Sequence, residues 1–423
     1  MKDFVMGNRI EKILDERLEK ALTCEQHHFP MNLDEFFALD GVHAIHAEPM
    51  DEETLPDSVS AADSFVSEGA ADSCSGVTPP PANRGVDNSI KVMTDTGKTG
   101  LTMPEQVNGD YHEIAHYGGY DGGCAVGFYG VWNLWEGNDG KTMLDKIRPE
   151  LQAAKEEAGQ SEGDGIRRKS TLGYIELNGI EFKVHATQSR GGVRYAYVMD
   201  GSGMVVYIHN NPKEGIQPIR VEYGFYALDK HSLYETHQAF LKWLSGLGFT
   251  VTKEVLSRVD LQETLNIDPQ VVFRLLSNYC YSSRTNKATT VITRRGWESY
   301  TTGSAIQLCI YDKMKELFDH QDDEKMIAVL EHFPEMDINA GLIRIEFRLK
   351  RDALKEMQLN TIQELKEREN DLIEYLTRWF RLLERPTTRG NSSKYRNHPL
   401  WDKVIESFKE DFNREVRVKE QKK

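Results

Sequence analysis

Between residues 174 and 350 apolar and polar residues alternate in short runs. A period of two buries one side of a strand and no single side of a helix. Tyr174–Leu177, Ile180–His185, Val193–Val198, Met204–His209, Pro218–Tyr226 and Ser257–Leu261 all read this way, as do stretches near 289–294, 305–313 and 341–350. Helical spacing interrupts at Leu233–Leu247, closed by Gly248, and at about 268–279; it returns over 360–384, stopped by Pro386, and near 400–412. Strands interleaved with single helices predict an α+β fold, a mostly antiparallel sheet with flanking helices in a C-terminal domain.

Charge divides the chain in the same place. The net charge is −15 over 423 residues, but residues 1–165 hold 12 Lys+Arg against 31 Asp+Glu, while 166–423 hold 40 against 36. The acidity therefore belongs to the N-terminal part and does not exclude nucleic acid as a partner of the rest. Five segments are expected: a helical segment over 1–47, an acidic disordered linker over 48–110, a Gly- and aromatic-rich segment with a short helix over 111–165, the α+β domain over 166–352, and a helical part over 353–423. Phe4, Ile10, Ile13, Leu14, Leu18 and Leu22 form one stripe of the first helix. The five cysteines form no C-x-x-C pair, and no run of about 18 apolar residues occurs. A soluble cytoplasmic protein with no membrane partner is the expectation.

Four strands share a design: Ile219-Arg220-Val221-Glu222-Tyr223, Ser257-Arg258-Val259-Asp260-Leu261, Leu308-Cys309-Ile310-Tyr311-Asp312-Lys313, and Ile343-Arg344-Ile345-Glu346-Phe347-Arg348-Leu349-Lys350. Period two puts Arg344, Glu346, Arg348 and Lys350 on one face, Arg220 beside Glu222, Arg258 beside Asp260, and Tyr311 beside Lys313. Any one such strand also fits a solvated face with ion pairs. In one sheet with matched registers, however, the polar face would carry three carboxylates, several cations and a tyrosine. That set suits a hard divalent metal beside a phenol nucleophile acting on a phosphodiester.

The order GFTVTKEVLSRVDLQ, LCIYDKMKEL, LIRIEFRLKRD resembles the catalytic region of rolling-circle replication initiators of the small-plasmid type, and is similar to the gene II replication proteins of filamentous phages. The likeness covers about 218–403, and RVEYGFYALDKHSL resembles the first strand and helix of that group. Members often carry a second acid four residues after the aspartate of the second strand. Thr264 stands there, and Glu263, one place off, should face the other side; Glu176 and Glu181 are candidates for the early metal-binding acids. The resemblance implies that Tyr311 nicks an origin strand, single-stranded or cruciform, to leave a 5′-phosphotyrosine and a 3′-OH primer. Lys313 would assist. Asp260 and Glu346, with Glu222, would hold Mg²⁺ or Mn²⁺. Arg258, Arg344 and Arg348 would contact DNA, as would Arg294 and Arg295 in the turn before the Tyr311 strand and Arg389, Lys394 and Arg396 in a basic loop carrying Tyr395. A host helicase and a second copy of the chain are further implied partners.

Two other functions remain in view. One is a DNA-binding regulator with the same fold and no catalysis. The other is a zinc metalloprotease, because His112-Glu113-Ile114-Ala115-His116 matches H-E-x-x-H, which on a helix sets two ligands and a general base on one face. Its flanking glycines and Asn108-Gly109-Asp110 oppose such a helix. Cys309 should share a face with Tyr311, as a small packing residue.

Overall fold

The computed structural model describes residue 111 and residues 113–420, apart from 138–139, 164–172, 187–188, 191–192, 230, 284, 286, 294–295, 335, 337–339 and 388–391. The expected first helix, the linker over 48–110, His112, Arg294, Arg295 and Arg389 lie outside the described residues.

Twelve strands form one sheet: β1 (His116–Tyr120), β2 (Cys124–Trp132), β3 (Tyr174–Leu177), β4 (Ile180–Val184), β5 (Tyr197–Gly201), β6 (Met204–Ile208), β7 (Ile219–Tyr223), β8 (Phe249–Leu265), β9 (Ala288–Thr293), β10 (Gly296–Gly303), β11 (Ile306–Asp312) and β12 (Ile343–Lys350). Their order is β9-β10-β11-β12-β8-β2-β7-β6-β5-β4-β3, with β1 also against β8, and the described pairings are antiparallel. The helices are α1 (Met143–Gly163), α2 (Phe225–Leu228), α3 (Leu233–Gly246), α4 (Pro269–Asn278), α5 (Lys313–His320), α6 (Asp323–Glu331), α7 (Arg351–Glu356), α8 (Ile362–Glu367), α9 (Glu369–Trp379) and α10 (Pro399–Glu420). The α+β expectation holds. Among the described residues no helix is long and apolar enough to cross a membrane.

The boundary expected near residue 165 does not divide the sheet, because β2 sits between β8 and β7. The glycine-rich stretch supplies β1 and β2. They run as one interrupted strand along β8, from His116 opposite Leu265 to Trp132 opposite Phe249, broken at Asp121-Gly122-Gly123. The break requires a glycine at 123. A Cβ on Gly123, whose φ is +115°, would lie 2.9 Å from a carboxylate oxygen of Asp260.

β8 is longer than its apolar pattern suggested, 17 residues against the expected 257–261. Its second half is buried on both faces yet carries Asp260, Gln262, Glu263 and Thr264, so no apolar alternation marks it. Other helices follow their local chemistry. α3 opens on a reciprocal Ser232–Glu235 capping box and closes at Gly248 with φ +88°. The helix expected over 360–384 breaks into α8 and α9 and ends in a short strand, Phe380–Leu382, paired with Cys280–Ser282.

Helices cover one face of the sheet. On α3, Phe240 packs 5.6 Å from Phe128 and Trp243 lies 5.4 Å from Phe182. On α9 and α10, Trp379 and Phe408 pack against Phe347 of β12. The opposite face carries the charged residues, and α5 and α6 close one end of it through Met314, Leu317, Met326 and Val329, against which Tyr117 packs.

Gly123→Ala is expected to lose about 1–3 kcal/mol of stability by overpacking Asp260 and straining the backbone. Urea unfolding measures this, and an unchanged midpoint would show that the break at Gly123 is not sterically required.

Candidate active site

The four strands singled out by their sequence do lie in one sheet, and register decides what meets. Tyr311 is opposite Arg344, which is opposite Thr264, itself opposite Tyr117 of β1. The next row runs Cys309, Glu346, Gln262, and the next Gln307, Arg348, Asp260. Tyr311, Glu346, Asp260 and three arginines therefore share a face, as expected. Cys309 shares it too, buried, with its thiol pushed up by that burial.

Each acid is held by an arginine on its own strand. Arg258 donates to both oxygens of Asp260, one at 2.8 Å. Arg348 donates to both oxygens of Glu346 at 2.6 and 2.8 Å, and its Nε lies 4.0 Å from Asp260. Asp260 and Glu346 are almost wholly buried, while the side chains of Arg258 and Arg348 are a third exposed. Burial raises the Asp260 carboxyl to about 7, with Glu346 adding to the rise and Arg258 opposing it.

Glu222 is separated from this row. It lies on β7, with β2 between it and β8, where Arg220 donates to it at 3.1 Å and Tyr207 at 3.1 Å. Glu176 and Glu181 face one another across β3 and β4, near the far edge of the sheet, too distant to complete a site. Glu263 points to the other face, as period two requires.

The donor set for Mg²⁺ or Mn²⁺ is tested by this arrangement. Asp260, Glu346 and Glu222 do not converge on a common point, and guanidinium groups hold both oxygens of the first two. As placed, these residues do not fit a joint cation seat.

Arg344 requires a correction. It was expected to touch DNA, but it is fully buried: its Nη1 donates to Asp121 at 2.8 Å and its Nε to Thr264 at 2.9 Å. It positions groups within the fold. The sequence offered Asp121 only as a possible third ligand for the H-E-x-x-H motif; its pairing with Arg344 was hidden because the two are 223 residues apart, and the cue was an acid set among glycines at a strand break. Burial acts to raise the Asp121 carboxyl, but Arg344 and Lys313 outweigh it and hold it below the usual range.

Lys313 also differs from expectation. It does not continue the strand but opens α5, with Asp312 as the N-cap accepting from the Lys315 N–H. Its ammonium is fully buried, 2.5 Å from Glu316 and 5.9 Å from the centre of the Tyr311 ring. Burial, then Arg344 and Lys325, lower it to about 7. Burial pushes the Tyr311 phenol well above its usual value, against the pull of Arg344.

Lys394 and Arg396 are exposed around the turn Ser392–Lys394, with side chains in solvent. The described part of the protease motif, Glu113–His116, is not helical. Glu113–Ala115 are turn and coil and His116 begins β1, so no helix aligns them.

No family model and no curated protein matches the sequence. Among solved structures, that of a rolling circle replication initiator protein from Geobacillus stearothermophilus is similar over 69% of this chain and 96% of that one, at 14% identity and a TM-score of 0.38.

Asp121→Asn, which strips the buried Arg344 of its anion, is expected to cost about 3–5 kcal/mol. Adding Arg344→Met should recover part of that loss in a double-mutant cycle read by urea unfolding. Equal additivity would mean that the two side chains are not coupled.

Proposed function

We propose that this chain is a rolling-circle replication initiator that nicks and rejoins an origin strand through Tyr311. The observation that carries the reading is the row placing Tyr311 against Arg344, next to Glu346 and Arg348, with a lysine of lowered pKa beside the ring. The strand motifs found in the sequence support the same reading.

The chemistry runs through the chain's own groups. A buried phenol does not ionise unaided near neutral pH. The free amine of Lys313, available above about pH 7, takes the phenolic proton, and the Arg344 charge favours the phenolate. The phenolate oxygen attacks phosphorus, the P–O3′ bond breaks, and the departing 3′ oxygen takes the proton held by the Lys313 ammonium, leaving the strand joined to Tyr311 through its 5′-phosphate with a free 3′-OH. The partly exposed Arg258 and Arg348 would steady the phosphate backbone, with Lys394 and Arg396 outside the sheet. Reversal reseals the strand, because the phosphotyrosine keeps the energy of the diester. Such an initiator would work in the cytoplasm on origin DNA.

The raised pKa of the half-buried Tyr311 phenol favours a second reading, a DNA-binding regulator of this fold without cleavage. Labelled single-stranded origin DNA separates the two. The proposal expects a covalent adduct on Tyr311, lost in Tyr311→Phe while binding stays within about twofold; cleavage by that variant would sink it. Binding without any adduct in the wild type would select the regulator.

Nicking should rise as pH passes upward through about 7, since only the free amine accepts a proton. Lys313→Arg, which cannot deprotonate there, should lower the rate by about 10²–10⁴ and flatten the profile. An unchanged profile would remove Lys313 from the proton transfer.

A further inference from the structure

On the face of β8 turned away from Asp260 lies a second cluster, and it takes up one member of the abandoned protease motif. We propose that His116, Glu263 and Asp411 form a binding site for a divalent transition metal, zinc in the first instance, which fastens α10 to the sheet. The three offer one imidazole nitrogen and two carboxylates, with ligand atoms all within 4.8 Å of one another. His116 Nδ1 stands 3.1 Å from Asp411 Oδ2 and 3.2 Å from Glu263 Oε1. Tetrahedral zinc, with bonds of about 2.0–2.1 Å, sets its ligand atoms roughly 3.3 Å apart.

The second observation is Glu263 itself. Its side chain is wholly buried, no well-directed hydrogen bond reaches either carboxylate oxygen, and Oε1 faces the imidazole Nδ1 of His116 at 3.2 Å. A buried carboxylate left so is costly unless a cation completes it. Gly118 lets the two acids come this close to β1: a Cβ there would fall 2.1 Å from Glu263 Oε2 and 3.0 Å from Asp411 Oδ2.

The far side of the imidazole agrees. His116 Nε2 lies 3.2 Å from Glu410 Oε2. A ligating histidine usually gives its other N–H to a carboxylate, which fixes the tautomer and turns the free lone pair to the metal. Here that would aim Nδ1 between the two buried acids. Nitrogen with two carboxylates suits zinc, and cobalt as its probe. The side chains of His116, Glu263 and Asp411 are only 9%, 0% and 2% exposed, so a substrate has no access and the role is structural. β1 and β8 supply two ligands and α10 the third, so one ion ties the C-terminal helix to the centre of the sheet.

The test uses the full chain, tag-free and stripped with chelator. Zinc titration by calorimetry should show one more equivalent bound by the wild type than by Glu263→Gln or Asp411→Asn, each checked for folding by circular dichroism. Tyr311→Phe should bind as the wild type does. Hydrogen exchange on the wild type, with and without Zn²⁺, should show protection in His116–Tyr120 and Pro399–Phe412. This measurement stands even where a variant does not fold. Equal zinc uptake by wild type and folded variants, or no change in exchange at those segments, would overturn the site and leave an imidazolium between two carboxylates.

Discussion

A guanidinium with no access to water organises this molecule. Arg344 cannot lose its proton and cannot reach solvent, so the fold must bring an anion to it. Asp121 is that anion, and it arrives only because β1 and β2 part at Asp121-Gly122-Gly123. Burial lowers the amine of Lys313 and raises the phenol of Tyr311; the same positive charge adds to the first shift and opposes the second. One buried charge thus links the strand break, the nearby lysine and the candidate nucleophile.

The elements legible in the sequence are those whose signal is local. Alternation placed many of the strands, and period two sorted each strand's residues by face; that Tyr311, Glu346 and Asp260 share one face followed only on the assumption of matched registers, which the pairing supplies. Glu263 was turned to the other face for the same reason. What escaped depends on distant partners. Asp121 looks like any turn aspartate until Arg344 is seen beside it. Arg344 looks like a surface cation, because it stands two residues from Glu346 just as Arg348 does, and Arg348 is partly exposed. Lys313 keeps its neighbourhood to Tyr311 but sits on a helix, since the Asp312 cap ends the strand. The full length of β8 was hidden because polar residues occupy both of its buried faces.

That strand also explains why the two clusters do not mix. Asp260 and Glu263 are three residues apart, so the pleat sends them to opposite sides. Both sit over glycines of the β1–β2 stretch, Asp260 over Gly123 and Glu263 over Gly118. The glycine-rich segment thus makes room for a buried acid on each face of the sheet.

The charged face carries its own constraint on any polyanion that approaches it. Asp260 and Glu346 are buried and held by Arg258 and Arg348, whose guanidinium groups alone reach solvent. A phosphate over this row meets cations first, and every bond it takes from them is one fewer for the acids beneath. Phosphate and carboxylate therefore compete for the same donors, and the acids are neutralised in proportion as the phosphate is absent. Surface charge of the whole chain says little about this local balance. The net negative charge resides in residues 1–165, and the solvent side of the charged row is set by two arginines.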